Sequence, residues 1–279
     1  MSDSPRETCV ALSVGKADAL AQLGALRALQ DHGVEADCVV GAGMGAVVGA
    51  LHAAEPDRDP VEHYREFAAA LDRELGISAL VVMLLLDGWR IDNEPIDFEH
   101  LSRRPGDYAQ TQNSIAWSLT TQNVAEALGR HADAAALGDL ELPFATAYLL
   151  LWAEPLEPLV MREGDLPMAI RRAVVSASAR EVVDTGAVER SEVLALARIV
   201  AVPVRAACSQ FPRRRIVALN TSGEPAMRAG APCPVFEVEL EVSAPASGPS
   251  LHEYLLGRGS SFEQAVEAGY DQTRSALRR

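Results

Sequence analysis

The chain has 279 residues, 48% of them hydrophobic and 23% charged, and a formal net charge of −14. That length suits one large domain or two modest ones, and the composition excludes a wholly disordered or collagen-like chain. The negative excess repels phosphate backbones and anionic bilayers, which argues against nucleic-acid binding and broad electrostatic docking on membranes.

Met1 to Glu7 is polar and lacks the apolar stretch of a signal peptide. Cys9 to Val14 is a short apolar run and predicts a buried strand. Leu20, Leu23, Leu26 and Leu29 recur at helical spacing, and Gly33 supplies a C-terminal cap. Asp37 to Val40 predicts a second buried strand. It runs into Gly41-Ala42-Gly43-Met44-Gly45 and a helix of small residues from Ala46 to Ala54. Strand, helix, strand, tight turn, helix is the pattern of a parallel α/β sheet.

The middle of the chain, about 56–139, reads as a helical insertion within one domain spanning 1–279. Pro60 to Leu75 is amphipathic, and Ile77 to Leu86 is apolar on all sides. The latter is about half the ~20 residues a membrane-spanning helix needs, so no transmembrane segment is expected. Phe144 to Trp152 predicts a strand, with Leu159 to Met161 as its hairpin mate. Asp165 to Val175 predicts a helix with Asp165 as N-cap and Pro167 in the first turn. Ile216 to Asn220 predicts a buried strand, and Val235 to Val242 alternates like a half-buried edge strand. A loop from Ser243 to Ser250 and a last helix from Ser261 to Leu277 close the sequence.

Cys9, Cys38, Cys208 and Cys233 form no C-x-x-C pair, and no histidine stands at zinc-finger spacing from them. No metal and no cofactor is expected. Cys9 and Cys38 lie in apolar stretches and read as free, buried small hydrophobes, consistent with a reduced, cytoplasmic protein. The six histidines are scattered and form no H-E-x-x-H arrangement; His52 reads as a helix-surface residue. Ser13 reads as a hydrogen-bonded strand end, Ser176 and Ser178 as helix-end packing or capping, and Arg213-Arg214-Arg215 as a solvated turn.

The glycine turn has two chemical readings. Gly41, Gly43 and Ala46 satisfy a dinucleotide fingerprint, but the required second strand with its acidic end falls on Asp57 to Tyr64, which reads as the start of a charged helix. The second reading is a nucleophile elbow, G-x-S-x-G, with Gly41 and Gly45 as flanking glycines and Gly43 at the serine position.

The ordered blocks of the chain resemble bacterial patatin-like phospholipases. Ala11-Leu12-Ser13 through Leu29 is similar to that family's first strand, glycine-rich loop and first helix, and Asp37 to Ala54 to its elbow and following helix. Leu142 to Thr146, Gly164 to Ala173, Val202-Pro203-Val204, Ile216 to Ser222 and Ser261 to Tyr270 resemble later blocks in family order. The resemblance implies a three-layer α/β/α sandwich with a mostly parallel sheet. It also implies a serine–aspartate dyad acting on acyl esters, with backbone N–H groups holding the oxyanion.

Each of those parts departs from the pattern here. The serine position holds Gly43. The oxyanion loop corresponds to Val14, Gly15, Lys16, Ala17, Asp18 and Ala19, of which only Gly15 matches. Asp184-Thr185-Gly186 looks like the aspartate motif, but placing it there requires a deletion after Ser178. The preferred ungapped register, from Ser176 to Val204, puts Ala195 at the aspartate position. The expectation is a catalytically inactive family member acting as a binding, scaffold or regulatory subunit, assembled with itself or with an active relative. Two alternatives stand beside it: an acyl hydrolase with displaced catalytic groups, and a protein that holds a fatty acid or lipid without turnover.

Overall fold

The computed structural model describes residues 7–15, 17–75, 122–149, 158–182, 201–223, 233–244 and 253–279. The apolar run of Ile77 to Leu86, the loop beyond Ala244, Lys16, Asp184 and Ala195 lie outside them.

Strand β1 covers Thr8–Leu12 and β2 covers Cys38–Gly41, both buried along their whole length. Between them, a 3-10 turn at Ala17–Leu20 feeds helix α1, Ala21–Asp31. Gly33, at φ +65°, ends α1: its N–H and that of Val34 donate to Gln30 and Leu29 carbonyls. This pair of bonds satisfies carbonyls that the helix itself leaves open. Helix α2 is Met44–Ala54 and α3 is Pro60–Leu75. The Asp59 carboxylate caps α3 by accepting the Val61 and Glu62 N–H groups, and it also holds Arg27 of α1. A further helix, α4, covers 122–131 of the described residues.

Strand β3, Phe144–Leu149, is followed by β4, Pro158–Met161. Helix α5 is Leu166–Val182, and Asp165 caps it by accepting the Met168 N–H at 2.6 Å. Helix α6, Val204–Gln210, precedes β5, Arg215–Asn220, and β6, Val235–Glu239. Helix α7, Gly259–Leu277, is last.

The six strands form one sheet in the order β4-β3-β2-β1-β5-β6. Only β3 and β4 are antiparallel neighbours; the other four pairings are parallel. Side-chain alternation sorts the strands into two cores. Val10, Leu12, Val39, Phe144, Val217 and Leu219 face the larger core with α1, α2, α3, α5 and α7. Cys9, Ala11, Cys38, Val40, Ile216 and Ala218 face a smaller core covered by α6. Helices on both faces of a mostly parallel sheet make a three-layer α/β/α sandwich.

Two expectations need correction here. The cysteines are paired, not free: Cys9 and Cys38 sit directly opposite in the β1–β2 register with Cα atoms 4.6 Å apart, and Cys208 is bonded to Cys233 at 5.7 Å. Register, which brings alternate residues of neighbouring strands face to face, decides the first pair. His52 is buried, not on the surface. Helix α2 is buried on every side, so no position on it faces solvent. Among the described residues, no helix is long and apolar enough to cross a membrane.

Candidate functional site

The carboxyl ends of β1 and β2 carry the two segments singled out in the sequence. Successive strands are added on one side of β1 from β2 to β4 and on the other side from β5 to β6, so the order of addition reverses at β1. In open α/β sheets the crevice above such a reversal is where ligands and reacting groups assemble.

The turn from β2 into α2 is an elbow in backbone terms. Gly43, its apex, has φ +55° and ψ −133°, a region that side chains strongly disfavour. The Ala42 N–H donates to the Leu12 carbonyl at 3.1 Å, which ties the turn to β1. The flanking glycines are required by space. A methyl group on Gly41 would lie 2.4 Å from Ala46 Cα, and one on Gly45 would lie 2.4 Å from the Ser13 carbonyl oxygen. The dinucleotide reading finds no support, because the position of its second strand is occupied by the start of α3.

Beside the elbow, Val14, Gly15 and the 3-10 turn at Ala17–Leu20 are closely packed. The Val14 N–H donates to the Ala201 carbonyl at 2.7 Å. A methyl group on Gly15 would meet Thr221 Oγ1 at 2.5 Å. Ala17 and Ala19 are buried, and the Ala17 carbonyl accepts the Tyr254 hydroxyl at 3.1 Å. The Asp18 carboxylate accepts the Ala244 N–H at 2.6 Å. Burial pushes the Tyr254 phenol well above its usual range, so the hydroxyl stays a donor.

Below this turn, a polar knot closes the crevice between β1 and β5. Ser13 is fully buried and its hydroxyl accepts the Thr221 N–H at 2.8 Å and the Gln22 amide at 3.1 Å. The same amide reaches the Ser13 and Leu219 carbonyls and Thr221 Oγ1. Ser13 is therefore a hydrogen-bonded strand end, as its position in the sequence suggested.

Gln22, Thr221 and Tyr254 were not singled out in the sequence. The first two lie 199 residues apart and Tyr254 lies 237 residues from Ala17, so no local pattern links them. Ser176 and Ser178 lie on α5, away in sequence from the elbow. Of Arg213-Arg214-Arg215, Arg214 donates to the Asp37 carbonyl at 2.8 Å and pairs with Glu7, and Arg215 reaches Thr8 Oγ1. These side chains stitch the amino-terminal ends of β1, β2 and β5 together, at the end of the sheet opposite the elbow.

The structure thus brings together Gly41, Gly43, Gly45, Val14, Gly15, Ala17, Asp18 and Ala19 at one end of β1 and β2. A surface cleft of about 350 Å³ lies elsewhere, beside α3 and the start of α7, lined by Arg65, Leu256, Gly257 and Glu263 among others.

No curated protein matches the sequence. Among solved structures, the chain is similar to the type III effector protein ExoU, at 14% identity and a TM-score of 0.39, over 99% of this chain and 54% of that one. A second match is ExoU in complex with SpcU from Pseudomonas aeruginosa, at 16% identity and a TM-score of 0.39, over 100% of this chain and 54% of that one. A third is VipD from Legionella pneumophila, at 12% identity and a TM-score of 0.37, over 99% and 67%. The chain spans about half the length of the ExoU structures it matches. The family model for patatin-like phospholipases matches residues 10–209, which take in β1, the elbow and every element through α6. On that match, with the elbow and the mostly parallel sheet beneath it, the chain belongs to the patatin-like phospholipase family.

Proposed function

We propose that this chain is a catalytically inactive patatin-like protein that serves as a binding, scaffold or regulatory subunit. The observation that carries the reading is Gly43. It stands at the elbow apex with the backbone geometry of that turn and has no side chain to attack an ester.

Two features support it. In the stretch corresponding to the oxyanion loop, the Val14 N–H is committed to Ala201, Gly15 lies against Thr221 and the Ala17 carbonyl accepts the Tyr254 hydroxyl. Oxyanion stabilisation needs N–H groups aimed at open space where charge develops. In addition, Asp18 places a carboxylate in that stretch, and a negative charge there opposes a developing oxyanion. The ungapped register, with Ala195 at the aspartate position, belongs to the same reading.

The partner in this proposal is a second copy of the chain or an active relative. The second reading, a protein that retains a fatty acid or lipid without turnover, predicts lipid released from the purified protein on denaturation and detected by mass spectrometry.

The deciding assay is hydrolysis of p-nitrophenyl butyrate by the wild type, Gly43→Ser and Gly43→Ser/Ala195→Asp. The wild type and the single variant should give no rate above buffer. Wild-type turnover overturns the proposal and points to displaced catalytic groups, which a fluorophosphonate probe would label. Turnover in Gly43→Ser alone assigns the base to Asp184 instead of Ala195.

A further inference from the structure

Away from the elbow, the imidazoles of His63 and His131 meet between α3 and α4, and His52 lies on α2, which packs against α3. His63 of α3 and His131 of α4 have ring centroids 5.2 Å apart, and His131 also lies 5.6 Å from the Phe67 ring. His63 is 1% exposed and His52 of α2 is 5% exposed. The buried ring atoms His52 Nδ1, His63 Nε2 and His131 Nε2 have no hydrogen-bond partner. Native interiors rarely leave such atoms unpaired, and a neutral imidazole tolerates it far better than a cation does. Among the described residues, no group of three His, Cys, Asp or Glu side chains is arranged to hold a metal ion.

We infer that His52, His63 and His131 form an acid-sensitive latch, which holds α2, α3 and α4 together while the imidazoles are neutral and releases α3 and α4 when they take up protons. Among the described residues, four charged groups act on the cluster. Glu55, Asp57 and Arg58 come from the turn between α2 and α3, and Glu66 comes from α3. Glu55 and Glu66 favour the charged rings and Arg58 opposes them, but both carboxylates are already paired with Arg58, at 3.2 and 2.5 Å. Glu55 Oε1 lies 3.5 Å from His63 Nε2 without forming a hydrogen bond to it. Asp57 favours a charged His52.

Burial outweighs these charges. It holds His52 and His63 down to about 4 and lowers His131 as well, and a charge on any one ring further disfavours a charge on its neighbour. An exposed imidazole titrates near 6.5. Between pH 6.5 and 4 the opened state therefore binds more protons than the closed one, and falling pH favours opening. For a shift from about 6.5 to about 4, each of His52 and His63 multiplies the opening constant by about 20 between pH 7 and pH 5.

The test uses the full chain. Histidine ring resonances are followed by NMR from pH 7.5 to 4, and amide hydrogen exchange, corrected for intrinsic rates, is compared at pH 7 and pH 5. Midpoints below 5 for His52 and His63 are expected, with opening of α3 and α4 rising at least about 20-fold at pH 5 while β1 and β5 stay protected. His63→Gln, which keeps an amide in place of the ring, should lose about 20-fold of that response. Midpoints near 6.5 in the folded protein, unchanged opening at pH 5, or opening of β1 and β5 to the same extent as α3 each overturn the latch. If His63→Gln does not fold, the wild-type titration and exchange decide the matter alone.

Discussion

Gly43 combines two properties in one residue: it permits the backbone of the turn from β2 into α2, and it carries no side chain. A side chain placed at φ +55° and ψ −133° meets a strained conformation, so Gly43→Ser should lower stability by about 1–3 kcal/mol in urea unfolding, whatever its effect on hydrolysis. A stability equal to wild type would show that the turn relaxes. Ser13 offers a second residue-scale check. Removing its hydroxyl in Ser13→Ala leaves the buried Thr221 N–H without its 2.8 Å acceptor, and a loss of about 1–3 kcal/mol is expected by the same measurement. The apex and its flanking glycines were legible in the sequence because a turn's backbone demands are local. Burial of His52 was legible in principle too, since α2 reads Met-Gly-Ala-Val-Val-Gly-Ala-Leu-His-Ala-Ala, with no polar face to leave in water.

Helix α7 packs on α1 with backbones in close approach, and two glycines make that approach. A methyl group on Gly24 would lie 1.9 Å from the Val266 carbonyl oxygen, and one on Gly269 would lie 2.0 Å from that of Ala21. Neither backbone can move without separating the helices. Gly24→Ala and Gly269→Ala should each cost about 3 kcal/mol or more in chemical denaturation. Gly33→Ala is the control: its φ is +65° but nothing lies within 4 Å of the added carbon, so a cost of only about 1–2 kcal/mol is expected. Similar costs at all three positions would remove the close-packing explanation. The resemblance at Ala268-Gly269-Tyr270 marked this helix in the sequence, but not its neighbour. Periodicity marked most of the described helices and strands, because a buried stripe must repeat at 3.6 or at 2, but it missed α6, left α4 inside a generally helical middle and ended α5 at Val175 where it runs to Val182. It could not give partners, since α1 and α7 are more than 200 residues apart in the chain.

At the scale of the whole molecule, the two disulfides close spans of 29 and 25 residues across the smaller core. On the chain-entropy account each bridge adds about 3–4 kcal/mol. Thiol titration of the denatured, unreduced protein should find no free cysteine, and reductant should lower the unfolding midpoint. Free thiols in the folded protein would instead restore the reading of Cys9 and Cys38 as small hydrophobes. By itself the sequence determined the fold class, the elbow and the absence of a side chain at its apex. Alternation, turn chemistry and residue identity are properties of short segments. Only the tertiary structure decided that Tyr254 bonds to Ala17 and Thr221 packs against Gly15, that Cys9 faces Cys38, and that His63 meets His131. Those outcomes depend on strand register and on helix packing between distant segments, which no window of the sequence contains.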